Sequence, residues 1–288
     1  MNTILIIQAR YQSARLPGKG LKKIMSASEI AEAEKLAEQC ILQNYRYCQS
    51  QEGEIADGLG HIYHPNGQLK SEAYFKNGKF HGMRTIWHMD EIKAENNEYG
   101  HKEFQANYKT GERHGGYFVW YKNGQKKTQG NYKKGKRNGE WTYWHENGQI
   151  NQKGNFKNDA EDGEWIAWYE TGQIQQGTSY IKGKEDGKRT SWNEKGQKDI
   201  ETTFKGGNKI SYILYDYFEN GQMSKSRNFK NGKLNGTATA WYESGQKKGQ
   251  GNVIDGKRDG KWTAWNEVGQ KLEEAIFKDD VCISGDCD

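Results

Sequence analysis

The sequence predicts a mostly β fold: an elongated, single-layer antiparallel meander of β-hairpin repeats with a short N-terminal helix. Three observations predict it. The dipeptide Gly-Gln recurs at Gly67, Gly124, Gly148, Gly172, Gly196, Gly221, Gly245 and Gly269, and from Gly124 the steps are 24, 24, 24, 25, 24 and 24 residues. All ten tryptophans fall in two columns of that period. Finally, only 33% of residues are hydrophobic and the mean hydropathy is −1.13, yet 12% are aromatic and 36 of 288 are glycine. Such a chain has too few aliphatics to fill a two-layer core and too many rings to be disordered. It suits a thin structure in which neighbouring repeats cover one another.

From the N-terminus, residues 1–25 form a segment outside the repeats. Residues 26–48 read as a capping helix. Ser26 and Glu29 fit a capping box, and Ile30, Ala33, Ala37, Cys40 and Ile41 make one apolar face. Its expected place is over the first strand edge, which would otherwise invite aggregation.

Residues 58–283 hold nine repeats of about 24 residues. Their leading positions, nine before each Gly-Gln, are Gly58, Gly82, Gly115, Gly139, Gly163, Gly187, Tyr212, Gly236 and Gly260. The unit opened by Gly82 lacks its Gly-Gln and carries an insertion near residues 90–101. Five residues after each leader stands an aromatic: Tyr63, Trp87, Trp120, Trp144, Trp168, Trp192, Tyr217, Trp241 and Trp265. Two residues after it stand Trp141, Trp165 and Trp262. A third column, 17 after the leader, runs Phe75, Tyr132, Phe156, Tyr180, Phe204, Phe229, Val253 and Phe277, with Tyr108 in the degenerate unit.

Each repeat has two turn signals. One is x-Asn-Gly-Gln, as at Glu146 to Gln149, which reads as a two-residue type I′ hairpin. The other is Lys-x-Gly-Lys, as at Lys133 to Lys136. Turns every 12 residues give two strands per repeat, eighteen in all, spanning about 85 Å before twist. The Asn-Gly register sets each leading glycine opposite the residue 17 positions on, where a ring can cover it. Tryptophans three apart, such as Trp141 and Trp144, point to opposite faces unless a bulge realigns them.

The same features bound function. A formal charge of +5 is mild for this length and argues against nucleic acid as a partner. No run of 18 apolar residues predicts a transmembrane helix. MNTILIIQAR lacks the basic start of a secretory signal, which points to the cytoplasm, whereas the local pairs Cys40–Cys48 and Cys282–Cys287 argue for disulfides and export. The seven histidines are scattered, and no catalytic elbow, carboxylate pair or complete metal-ligand set stands out, so no enzyme, metal or cofactor is expected. Glu146, Glu170, Glu194, Glu219, Glu243 and Glu267 recur at a turn corner as structural residues, facing a rail of basic turns on the other edge. The candidate binding residues are the ladder Trp120, Trp144, Trp168, Trp192, Trp241 and Trp265, with Lys136, Arg137, Lys257 and Arg258 from the basic rail.

The units GEWTYWHENGQINQKGNFKN (139–158) and GKWTAWNEVGQKLEEAIFKD (260–279) resemble the MORN-repeat variant found in bacterial proteins of the YwqK antitoxin type. The resemblance covers roughly residues 58–280. It implies a non-enzymatic scaffold for protein binding, with a toxin as a candidate partner. An alternative reading is a cell-envelope or membrane-surface structural protein that binds anionic groups, such as lipid heads, through the basic rail. A shorter stretch, IIQARYQSARLPGK (6–19), resembles the opening motif of cytidylyltransferases that activate acidic sugars. That resemblance implies nucleotide-phosphate contacts from Arg10, Arg15 and Lys19. It covers about 25 residues, and hairpins do not supply the parallel-strand scaffold such a loop needs, so the third reading is a remnant of such an enzyme.

The register leads to a test of shape. Small-angle scattering is expected to report a radius of gyration well above the roughly 19 Å of a compact chain of this length, with a strand-dominated circular dichroism spectrum. A compact sphere would sink the extended array.

Overall fold

The computed structural model describes residues 57–65, 68–89 and 100–287. The 1–25 segment, the expected 26–48 helix, Cys40, Cys48 and most of the 90–101 insertion lie outside them. The chain divides into two compact units, Met1–Lys102 with Asn107–Glu112, and Glu103–Ala106 with Arg113–Asp288.

In the first unit β1 (Gly58–Tyr63), β2 (Leu69–Lys76) and β3 (Lys79–Trp87) pair antiparallel in sequence order. Phe80 packs its ring between Phe75 (4.9 Å) and Tyr108 (5.2 Å). The insertion leaves after β3, where the amide of His88 donates to the carbonyl of His101 (2.9 Å) and closes its base. β4 (Lys102–Lys109) falls where the two units divide.

The second unit continues with β5 (Glu112–Trp120), β6 (Lys126–Lys133), β7 (Lys136–Trp144), β8 (Ile150–Lys157), β9 (Ala160–Glu161) and β10 (Gly163–Trp168). Then come β11 (Ile174–Ile181), β12 (Lys184–Trp192), β13 (Lys198–Lys205), β14 (Asn208–Tyr217) and β15 (Met223–Lys230). It ends with β16 (Lys233–Trp241), β17 (Lys247–Ile254), β18 (Lys257–Trp265), β19 (Lys271–Lys278) and β20 (Val281–Gly285). Neighbours in sequence pair antiparallel from β5 through β20, with β9 and β10 both on β8. This is the expected meander. The strand count exceeds eighteen because β9 and β10 are one repeat strand broken at Asp162, and because β20 follows the ninth repeat.

The type I′ geometry expected at Asn-Gly falls instead at the second turn. At Lys-x-Gly-Lys both central residues have positive φ, as at Lys134 (51°) and Gly135 (74°), or Asn231 (50°) and Gly232 (77°), so these are the two-residue type I′ hairpins. At Asn-Gly only the glycine does. Gly148 (86°) follows a tight turn in which its amide donates to His145 O (3.0 Å), and His145 N donates to Gln149 O (2.8 Å). This is a three-residue loop, a type I turn closed by a left-handed glycine. The reason lies in the asparagine side chain. Asn147 Oδ1 accepts from Gln149 N (2.9 Å) inside the loop, while Nδ2 donates to the carbonyl of Glu170 (2.9 Å) in the next repeat.

The register is nevertheless the predicted one. Trp144 pairs with Ile150, one short of a two-residue loop, but Tyr143 pairs with Gln152, so a bulge at Asn151 restores the count. Gly139 therefore faces Phe156, and Gly115, Gly163, Gly187, Gly236 and Gly260 likewise face the residue 17 on. The leading glycines answer a backbone demand more than a ring. Gly139 has φ 88° and Gly163 has φ 82°, and a Cβ at either would meet open space. Where the repeat is one residue longer, Tyr212 replaces the glycine and stacks on Phe229 (4.7 Å, 3°).

Repeats are latched along both edges. At the first turns Asn123, Asn147 and Asn220 each donate to a carbonyl 23 residues on (2.9 Å). Tyr121, Tyr169 and Tyr242 donate their hydroxyls to the carbonyls of Trp144, Trp192 and Trp265 (2.8, 2.8 and 2.9 Å). The Gly-Gln glutamines pack on the next turn's glycine: Gln125 lies against Gly148 and Gln149 against Gly172. At the second turns the amides of Gly135, Asp159, Gly183, Gly207, Gly256 and Asp280 donate to the carbonyls of Arg113, Arg137, Glu161, Glu185, Leu234 and Arg258. A typical net value of about 1 kcal/mol per bond makes each latch modest, but the latches recur in register.

Across the strands large side chains sit over small ones. The rings of Trp141, Trp165 and Trp262 lie where a Cβ of Gly130, Gly154 and Gly251 would stand. Elsewhere in this column Thr178 opposes Arg189 and Ala73 opposes Arg84, and where Arg227 fills the small site its partner is Ala238. β20 ends the array in a Cys282–Cys287 disulfide, Cα–Cα 5.6 Å, while Asp286 N donates to Glu274 O (3.0 Å).

Two glycines of ordinary φ separate packing from backbone freedom. Gly154→Ala, beneath Trp165, is expected to lower stability by roughly 1–3 kcal/mol in urea titration, as overpacking does. Gly177→Ala, whose Cβ would meet Trp192 at an ordinary 3.7 Å, is expected to stay within about 0.5 kcal/mol of the parent. Equal losses at the two sites would contradict the ring placement.

Candidate functional site

The two tryptophan columns occupy opposite faces, so aromatics clothe both sides of the strands. On one face Trp141, Phe156 and Trp165 form a buried cluster, with Tyr117, Tyr132, Tyr143 and Tyr180 packed against it. Ring centroids are 5.3 Å apart for Trp141–Tyr132, 5.9 Å for Trp141–Phe156 and 4.8 Å for Phe156–Trp165. The indole N–H groups of Trp141, Trp165 and Trp262 donate to the carbonyls of Asn131, Asn155 and Asn252 (3.3, 3.1 and 2.9 Å). Their ring faces and their polar atoms are both engaged, which makes this column structural. The small-residue column beneath it escapes a sequence reading because glycine alternates there with Thr178, Thr202 and Ala275.

The other column carries the candidate site. Trp120, Trp144, Trp168, Trp192, Trp241 and Trp265, with Tyr217 between, are all half-buried in the second unit. Phe118 stacks beside Trp120 (5.9 Å, 27°), which places the residue three after the leader on this same face. Two threonines of that row, Thr142 and Thr239, are buried. Two strands per repeat put successive rings about 9.6 Å apart. Rigid rings, half covered and evenly spaced, present contact area that loses little conformational freedom when another surface lands on it.

Charge rims this row. Glu140 pairs with Lys153 (3.0 Å), Lys188 with Glu201 (2.8 Å) and Lys261 with Glu274 (2.9 Å). Lys198 and Lys271 add second partners to Glu201 (3.3 Å) and Glu274 (3.2 Å). The hydrogen bond from Lys188 holds the Glu201 carboxyl below the usual carboxylate range, and Lys261 does the same for Glu274. Both carboxylates stay ionised at neutral pH. Lys126 brings its ammonium 5.8 Å from the Trp144 ring.

The four basic candidates divide into two kinds. Arg137 stacks on Phe156 (3.8 Å) and pairs with Asp159 (3.1 Å), and Arg258 stacks on Phe277 (3.8 Å) and pairs with Asp280 (3.5 Å). The Arg137 amide also donates to Asp159, which lowers that carboxyl's pKa. These two arginines hold the second turns in place. Lys136 and Lys257 are exposed beside them. Three of the histidines have hydrogen-bonded neighbours: His61 has Glu72 (3.1 Å), His64 the Trp87 carbonyl (3.1 Å) and His145 the Trp168 carbonyl (2.9 Å). No helix among the described residues is long and apolar enough to cross a membrane.

Against known protein families, the MORN repeat variant matches at residues 56–77, 113–134, 137–158, 161–182 and 234–255. Each match runs from just before a leading glycine into the second turn, so it covers one hairpin and ends inside the type I′ turn that follows. A comparison with curated proteins finds no match. The five matches fall in register with the hairpin geometry and support a MORN-repeat protein.

Proposed function

We propose that this chain is a non-enzymatic scaffold that binds another protein along its half-buried tryptophan row. MORN repeats are generally associated with scaffolds that bind proteins or membranes. The observation that carries the reading is the asymmetry between the two columns. The Trp141 column spends its ring faces and its N–H groups inside the fold, whereas the Trp120–Trp265 row keeps part of each ring open. The partner fits an antitoxin-like pairing, in which a surface built of repeats occupies a toxin. The insertion near 90–101 is the departure from repetition that could set specificity, since identical repeats define a shape and leave selection to what differs.

A second reading is a membrane-surface or cell-envelope role, favoured by Lys136 and Lys257, which stand exposed on second turns five repeats apart. The two readings separate experimentally. With the protein immobilised, quantitative mass spectrometry is expected to find one protein enriched by the parent and lost, at least ~10-fold, with Trp168→Ala/Trp192→Ala. Sedimentation with vesicles containing anionic lipid is expected to show no binding. Vesicle binding that disappears in Lys136→Glu/Lys257→Glu would replace the first reading with the second. Failure of both assays would remove the scaffold proposal.

A further inference from the structure

The ninth repeat departs from its predecessors at the positions where they are polar. Eight residues after the leader the inner repeats of the second unit carry Asn123, Asn147, Thr171, Lys195, Asn220 and Ser244, and the ninth carries Val268. Twelve after the leader they carry Lys127, Asn151, Gln175, Asp199, Ser224 and Lys248, and the ninth carries Leu272. Sixteen after it they carry Asn131, Asn155, Ser179, Thr203, Asn228 and Asn252, and the ninth carries Ile276. The strand that follows opens with Lys136, Lys184, Lys233 or Lys257 in four inner repeats and with Ala160 or Asn208 in two, and here with Val281. These aliphatics are open to solvent: Val268 is 76% exposed, Leu272 58%, Ile276 41%, Val281 64% and Ile283 61%. Outer repeats of stacked arrays ordinarily turn a polar side outward.

The edge beside this patch is open as well. β20 pairs with β19 alone among the described strands. Its five residues, Val281 to Gly285, include no charge and no proline. Four of the six strands that follow the inner repeats of the second unit begin with lysine, a residue that discourages one edge from pairing with another. After Gly285 the chain turns back on β19 through Asp286 and the Cys282–Cys287 disulfide, so no described residue after Gly285 pairs with that edge.

We infer that β20 and the aliphatics around it form a self-association surface whose occupant is a second copy of this chain, paired antiparallel edge to edge about a two-fold axis. Self-pairing sets each strand against its own copy, so a charged strand repels itself and an uncharged one does not. β20 is self-complementary in this sense. Antiparallel pairing is also how strands from β5 to β20 already meet. The rim argues against an anionic membrane as the occupant, because Asp279, Asp280 and Asp286 flank β20 in the chain. This surface is distinct from the tryptophan row and stands whether or not that row binds a partner.

The test uses the full chain in sedimentation velocity and light scattering over a dilution series. The parent is expected at twice the mass of one chain, dissociating on dilution. Val281→Lys/Ile283→Lys is expected to raise the dissociation constant roughly 100-fold, since it buries like charges against each other. Leu272→Asn/Ile276→Asn, which installs residues of the inner repeats, is expected to weaken association without adding charge. Ile181→Lys, at an exposed aliphatic of an inner repeat, is expected to leave the mass unchanged and serves as the control. Unchanged circular dichroism in each variant shows that the repeats stay folded. A parent of single-chain mass at every concentration would overturn the inference. So would a doubled mass that persists in both double variants, or anionic-vesicle binding lost in Val281→Lys/Ile283→Lys.

Discussion

A sheet one strand thick has no interior, so each large side chain must find its cover on a neighbouring strand. The rest of this structure follows from that constraint. Trp141, Trp165 and Trp262 lie across Gly130, Gly154 and Gly251 because a bare backbone is the only floor flat enough for an indole at that spacing. Arg137 and Arg258 lay their guanidinium groups on Phe156 and Phe277 for the same reason, with Asp159 and Asp280 satisfying the charge. Burial here is assembled pair by pair, and each pair joins one repeat to its neighbour. Stability in such an array is a sum over adjacent units, and a central unit has two neighbours where an end unit has one.

Much of this was legible in the sequence. The 24-residue step, the two turns and the facing of Gly139 with Phe156 could all be read from spacing. The facing came out right although the loop type did not, because a bulge at Asn151 offsets the loop's extra residue. Asn147-Gly148 carries a strong short-range hairpin signal, but its side chain is recruited by Glu170, 23 residues away, and local turn chemistry cannot anticipate that. The repeated glutamine has a similar origin: Gln125 is kept for Gly148 of the following unit. The tryptophan row was legible as a candidate surface because it recurs in every unit. What recurrence could not reveal is that Arg137 and Arg258 are tied into the turns while Lys136 and Lys257 are not, since that distinction rests on aspartates 22 residues further along.

The same latches explain where the fold tolerates change. His88 and His101 make the bond that His145 and Gln149 make in a regular unit, so the same backbone contact is kept on either side of the insertion. The longer unit around Tyr212 shows the other limit. One added residue removes the left-handed glycine, and a ring stacked on Phe229 takes over its place. Among the described residues of the second unit, irregularity is thus found at turns and bulges.

The size pairing between strands has a consequence for how the chain finds its order. Units that share one hydrogen-bond pattern could dock one whole step out of place, because the backbone ladder reads the same after a shift of 24 residues. The side chains do not read the same. Trp262 fits over Gly251, Arg189 over Thr178, and at the next size reversal Ala238 yields to Arg227. A strand offered the wrong neighbour would set an indole against an arginine, or leave a hole between glycine and alanine. Trp141 over Gly130 and Trp165 over Gly154 are the same key, so no single junction fixes the order; the series of unlike pairs along the array does.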